Sequence, residues 1–291
     1  MALQKITLQQ KVKLCVLIKM VKLKSAFLFI FLGFIASIYS SSPIGKEINY
    51  RHLGNLKYEV QLTIIRDCRG IPYNGANLSI LNDSFSIKLT PTRISIIPVE
   101  TNKCKSDCQP NSTSNPGYEK LLYLDTVDFQ TSPLNLFGTS KFPFIYFTSN
   151  DCCRIGAITN HSSGGLFIEA MLNLFYIKQN SESVSTPKPL VQLPFQIPYN
   201  NTFNFSFASE SSDVNDSLSY ELTNPMNDHN SFETYTTTYP FTVNCGNINI
   251  KTCPYSTNLK FARGFYFDSK LGNIIFTPFN NSEISTLTIK K

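Results

Sequence analysis

The run Tyr58-Glu59-Val60-Gln61-Leu62-Thr63-Ile64 alternates apolar and polar residues without a break, the period of a β-strand with one face on a core and the other in solvent. The same period returns at Leu78-Ser79-Ile80, Phe85-Ser86-Ile87-Lys88-Leu89, Phe203-Asn204-Phe205-Ser206-Phe207 and Thr286-Leu287-Thr288-Ile289-Lys290. Turn formers stand between these runs: Asp67 to Gly70, Pro72 to Gly75, Asn82-Asp83, Asn111 to Gly117 and Ser162 to Gly165. Short alternating runs punctuated in this way predict antiparallel sandwiches. Only Leu166 to Ile177 could be read as a helix, and Gly164-Gly165 before it with Phe175-Tyr176-Ile177 at its end favour a buried strand. The polar, Pro-containing stretch 179–190 interrupts the pattern and reads as a linker. The expected architecture is all-β: two antiparallel immunoglobulin- or cadherin-like β-sandwich units, at 44–178 and 191–291, behind an N-terminal segment.

Composition supports folding, because the 291 residues are 42% hydrophobic and carry 23 Phe and 14 Tyr, unlike a disordered chain. The formal charge of +6 first suggests an anionic partner. It resides, however, in Lys5, Lys11, Lys13, Lys19, Lys22 and Lys24, and no acidic residue precedes Glu47. The remainder is formally neutral, which removes the argument for nucleic acid. Lys22 and Lys24 precede the apolar run Ala26 to Ala36, then Ser40, Ser41 and Ser42. A basic region, an apolar stretch and a small-residue exit describe a secretory signal peptide over 1–40, with Met20 as an alternative start and cleavage after Ser40. The apolar run is shorter than the roughly 20 residues of a membrane span. The body is thus expected to be secreted or displayed at the cell surface, with no membrane span of its own.

Export makes disulfides the default state of Cys68, Cys104, Cys108, Cys152, Cys153, Cys245 and Cys253. Cys104 with Cys108 and Cys245 with Cys253 could each close a short loop, and Cys68 could reach Cys152 or Cys153; zinc is the rival reading. The count of seven is odd, so one thiol lacks a partner within the set. Asp213, Asn215 and Asp216, with Glu210 ahead of them, are the one local group with calcium character, since hard calcium takes closely spaced oxygen ligands. The rival reading is a polar turn before Leu218-Ser219-Tyr220-Glu221-Leu222. No other cofactor is expected. His52, His161 and His229 stand in no catalytic motif, so no enzyme is expected. Paired carboxylates for glycoside hydrolysis and an aromatic sugar platform give the alternative, a carbohydrate-active or glycan-binding protein on a β scaffold. The alternating Phe residues favour core over platform, and Trp is absent.

Several segments look familiar. Glu47-Ile48-Asn49-Tyr50-Arg51-His52-Leu53-Gly54 leads into Tyr58-Glu59-Val60 and Arg66-Asp67-Cys68-Arg69-Gly70-Ile71. With Asn150-Asp151-Cys152-Cys153-Arg154, Ala157-Ile158-Thr159-Asn160, Asp216-Ser217-Leu218-Ser219-Tyr220, Pro240-Phe241 and Gly264-Phe265-Tyr266-Phe267-Asp268, it resembles secreted surface proteins of Bacteroidota. These are the gliding-motility-associated type with PKD and cadherin-like domains. Leu271-Gly272-Asn273-Ile274-Ile275-Phe276-Thr277-Pro278 is similar to the hairpin that closes a cadherin-like repeat in that group. The resemblance implies a non-enzymatic role in adhesion, surface presentation or gliding-associated contact, with an unknown surface or glycan partner. Val214 and Asn215 replace the Asp and Gly that the group carries ahead of this strand, which weakens the calcium reading. The resemblance also implies further sandwiches and a sorting domain, so the chain is read as a truncated member.

Overall fold

The structure, a computed structural model, describes residues 43–68, 73, 75–99, 117–151, 164–181, 183–189, 203–211, 217–233, 265–276 and 288–290. In chain order the strands are β1 Gly45–Gly54, β2 Lys57–Asp67, β3 Ser79–Leu81, β4 Ser86–Lys88, β5 Thr92–Val99, β6 Tyr118–Asp128, β7 Phe144–Asp151 and β8 Leu166–Asn173. They continue as β9 Lys188–Pro189, β10 Phe203–Ser206, β11 Ser209–Glu210, β12 Glu221–Thr223, β13 Met226–Asp228, β14 Ser231–Phe232, β15 Phe265–Asp268, β16 Asn273–Phe276 and β17 Thr288–Lys290. One sheet has the order β1-β2-β6-β5 and the other β14-β13-β8-β7-β3-β4. Every described pairing is antiparallel. The smaller ladders are β10-β16-β15, β11-β9 and β12-β17. The chain is an all-β protein, with the alternating runs found in the sequence lying in or beside these strands. Among the described residues no helix is long and apolar enough to cross a membrane.

Alternation dictates the core. Ile48 and Tyr50 of β1, Tyr58, Val60, Leu62 and Ile64 of β2, and Leu121, Tyr123 and Val127 of β6 share one cluster with residues of the second sheet. The latter are Ile80, Ile145, Phe147 and Leu172, so two sheets pack face to face as in a sandwich. Burial of each such side chain contributes about 1.5–3 kcal/mol. One detail departs from the sequence pattern: Thr63 and Ile65, on the opposite face of β2, are also buried. Thr63 lies between its register partners Glu47 and Leu122, and its hydroxyl accepts a bond from the Gln61 amide at 3.3 Å.

The stretch from Leu166 to Ile177 is a strand only as far as Asn173; Leu174–Asn180 is a helix, α1, which corrects the all-strand reading. The Asn173 side chain accepts the Tyr176 N–H at 3.1 Å and so caps the helix. Burial of Leu174 and Ile177, three apart on one face, fixes α1 against the core. Ser181 ends it in the left-handed conformation (φ 54°).

The stretch 183–187 follows β1 closely. Tyr50 donates its N–H to Thr186 Oγ1 at 2.8 Å and its carbonyl accepts the Thr186 N–H at 2.9 Å, while the His52 N–H donates to Ser185 Oγ at 3.0 Å. Farther along, Met226 of β13 pairs with Phe167 of β8. Residues on both sides of the polar stretch therefore share one sheet.

The β1–β2 hairpin turns through Asn55 and Leu56, both at positive φ, after Gly54 at φ +99°. Gly54→Ala should cost about 1 kcal/mol or more, because an L side chain resists that backbone. Gly45→Ala, where a methyl also meets open space but φ is ordinary, should be near neutral; urea midpoints of the two variants check the contrast. Among the described residues the buried Tyr58 hydroxyl has no hydrogen-bond partner, and burial raises its pKa from 10.0 to about 12. The folded state then holds this proton while the unfolded chain releases it, so stability falls as pH climbs from 10.0 to about 12. Tyr58→Phe should remove that part of the alkaline loss without destabilising the protein at neutral pH, as measured by urea denaturation across the range.

Candidate functional site

At one end of the sandwich the inward-facing positions change from apolar to polar. On β1, Lys46 has the parity of Ile48 and Tyr50; on β7, Ser149 and Asp151 follow Ile145 and Phe147. On β2 and β6, Arg66 and Glu119 are register partners beyond Ile64 and Leu121. These polar groups satisfy one another. Lys46 Nζ lies 2.5 Å from Asp151 Oδ2 and donates to Ser149 Oγ at 2.9 Å. The Tyr73 hydroxyl donates to the same carboxylate, 2.8 Å from Oδ1 and 3.0 Å from Oδ2. Arg66 pairs with Glu119 alongside.

Electrostatics sharpen this picture. The Lys46 side chain is 0% exposed and that of Asp151 14%. Burial pulls the Lys46 pKa below the ordinary lysine value, and the Asp151 charge and hydrogen bond oppose that shift. The pair is thus a desolvated amine and a carboxyl group in direct contact, with a phenol on the carboxyl. Rings of Tyr73 and Tyr123 meet edge to face, 6.4 Å apart, beside it.

A second cluster lies on the other face of the six-stranded sheet. His229 Nδ1, just past β13, is 2.7 Å from Glu169 Oε2 of β8, and its ring lies 4.4 Å from that of Tyr146 on β7. Burial raises the Tyr146 pKa, with smaller contributions from the Glu169 and Asp83 charges. His229 Nε2 is buried and has no hydrogen-bond partner among the described residues. The carboxylate fixes the imidazole, and the pair fastens the β13–β14 hairpin to β8. His229→Ala should weaken this attachment by about 1–2 kcal/mol, seen as faster amide hydrogen exchange at Met226 and Phe167 with the β1–β2–β6 amides unchanged.

The residues proposed from sequence fare unevenly. Cys68 is disulfide-bonded, its N–H held by the Gly117 carbonyl at 3.0 Å at the end of the β2–β6 ladder. Cys104, Cys108, Cys152, Cys153, Cys245 and Cys253 lie outside the described residues, as do Asp213, Asn215, Asp216, His161 and the segment 1–40. Glu210 is exposed and stands opposite Lys188 in the β9–β11 ladder. Among the described residues no group of three or more His, Cys, Asp or Glu is placed to hold a metal. His52 packs against the Tyr58 ring, 5.1 Å away. Lys46, Tyr73, Ser149, Asp151 and Glu169 were not singled out by sequence. The usable clue was parity: Ser149 and Asp151 continue the inward series of Ile145 and Phe147, so a polar pair there needs partners inside.

No family model matches the chain, and no curated protein or solved structure matches it either.

Proposed function

We propose that this is a secreted or cell-surface, non-enzymatic β-sandwich protein that acts by contact, in adhesion or surface presentation. The observation that carries the reading is the disulfide at Cys68, because such bonds persist in oxidising compartments and are rare in reducing ones. The basic and apolar leader over 1–40 supports the same destination. A large two-sheet core with polar groups paired at its end suits a rigid presenting module, in which function resides in the outer surface and loops. The resemblance to Bacteroidota surface proteins adds the expectation of a surface or glycan partner.

Expression of the full chain in an exporting bacterial host tests this. The mature protein should begin after Ser40, be accessible to protease on intact cells or present in the medium, and show Cys68 blocked to thiol reagents until reduction. Replacing Lys22 and Lys24 with Glu should retain the precursor in the cell. Cytoplasmic accumulation of wild type with a reactive Cys68 thiol would overturn the proposal.

A further inference from the structure

The polar end of the sandwich presents a combination that an ordinary ion pair does not require. A lysine side chain without exposed surface touches a carboxyl group at 2.5 Å, and a tyrosine hydroxyl is directed at both oxygens of that carboxyl. Lys46 belongs to β1 of the first sheet and Asp151 to β7 of the second, so rigid elements hold the two groups together. Burial of separate charges is costly there, and the same burial favours the uncharged form of the Lys46 amine.

We propose that Lys46 and Asp151 form an intramolecular amide, an isopeptide bond that ties the two sheets covalently. A proton first passes from Lys46 Nζ to the Asp151 carboxylate across their contact, leaving a neutral amine and a carboxylic acid. The nitrogen lone pair then attacks Asp151 Cγ, and the N–C bond forms. The Tyr73 hydroxyl donates to the oxygen that takes up negative charge, as donors do at an oxyanion. A second proton moves from the nitrogen to the departing hydroxyl, the C–O bond breaks and one water leaves. Ammonium and carboxylate become amide and water, so atoms and charge balance and no oxidant or other reactant enters. Fixed juxtaposition supplies the driving geometry, since well-oriented intramolecular pairs reach effective molarities of about 10⁵–10⁸ M. Ser149, which accepts from Nζ at 2.9 Å, holds the nitrogen at the carboxyl. The bond does not depend on the contact function proposed above.

Peptide mapping of the full-length protein, purified folded and then reduced, denatured and digested with trypsin, decides the matter. The expected product is a branched peptide joining the Lys46 and Asp151 segments, lighter than their sum by one water and uncleaved after Lys46. Lys46→Arg should lose the branched peptide while keeping its β-type circular dichroism, and Tyr73→Phe should lower the cross-linked fraction. Recovery of Lys46 and Asp151 only in separate peptides of full mass, with cleavage after Lys46, would overturn the proposal. So would a water loss at Asp151 that persists in Lys46→Arg, which would mark a cyclic imide instead.

Discussion

The pairing of β2 with β6 is the constraint from which the remainder follows. Their register runs unbroken from Lys57 opposite Asp128 to Asp67 opposite Tyr118. Because side chains alternate, a slip of β6 by one residue against β2 would turn Leu121, Tyr123 and Val127 out of the core together while Val60, Leu62 and Ile64 stayed inside. The β1–β2 turn passes this choice of face to β1, and Gly45 opposite Ile65 fixes Lys46 one step farther along. An inward lysine is thus a consequence of registry and not of local preference.

An inward charge then demands partners. Of the two sheets, the first supplies Lys46, Arg66 and Glu119 and the second Ser149 and Asp151. Each cation meets a carboxylate, so breaking one partner of a pair would strand the other in a desolvated setting, a loss commonly of about 3–5 kcal/mol. The other end of the sandwich is treated differently. There Phe129 and Phe137 and the helix residues Leu174 and Ile177 close the apolar core, and the Lys178 ammonium reaches back to the Asn135 and Phe137 carbonyls. Burial lowers the Lys178 pKa as well, but its partners are neutral, so it orders a loop without pairing charges.

Much of the fold was legible because it is local. Alternation at Tyr58 to Ile64 marks β2, and Leu271 to Phe276 falls in the β15–β16 hairpin, which turns on Gly272 at φ +65°. The helix after Asn173 was not, since Leu174 to Ile177 is apolar enough for either conformation and the decision rests on a cap and on packing. The polar end was illegible for another reason: Lys46 and Ser149 are 103 positions apart, and periodicity carries no information about which distant strand faces which. The unity of the sheet across the polar stretch 179–190 escaped composition likewise, because Ser and Thr that suit a solvated linker also suit side-chain bonding to a strand edge. The calcium set, outside the described residues except for Glu210, gains no support or contradiction from the fold.

The seating of Ser185 and Thr186 on β1 bears on how the molecule keeps to itself in a crowded setting. A sheet edge is an open template for another chain, and at the β1 edge Thr186 engages both the N–H and the carbonyl of Tyr50. The opposite margin, β5, is broken by a register shift between Arg93 and Ser95 and carries Pro98, although Ile94 and Ile96 are half exposed. One margin is thus occupied by the protein's own chain and the other is irregular, so lateral stacking of copies is discouraged at both. Copies brought to high local concentration in this way remain separate modules rather than a fused sheet.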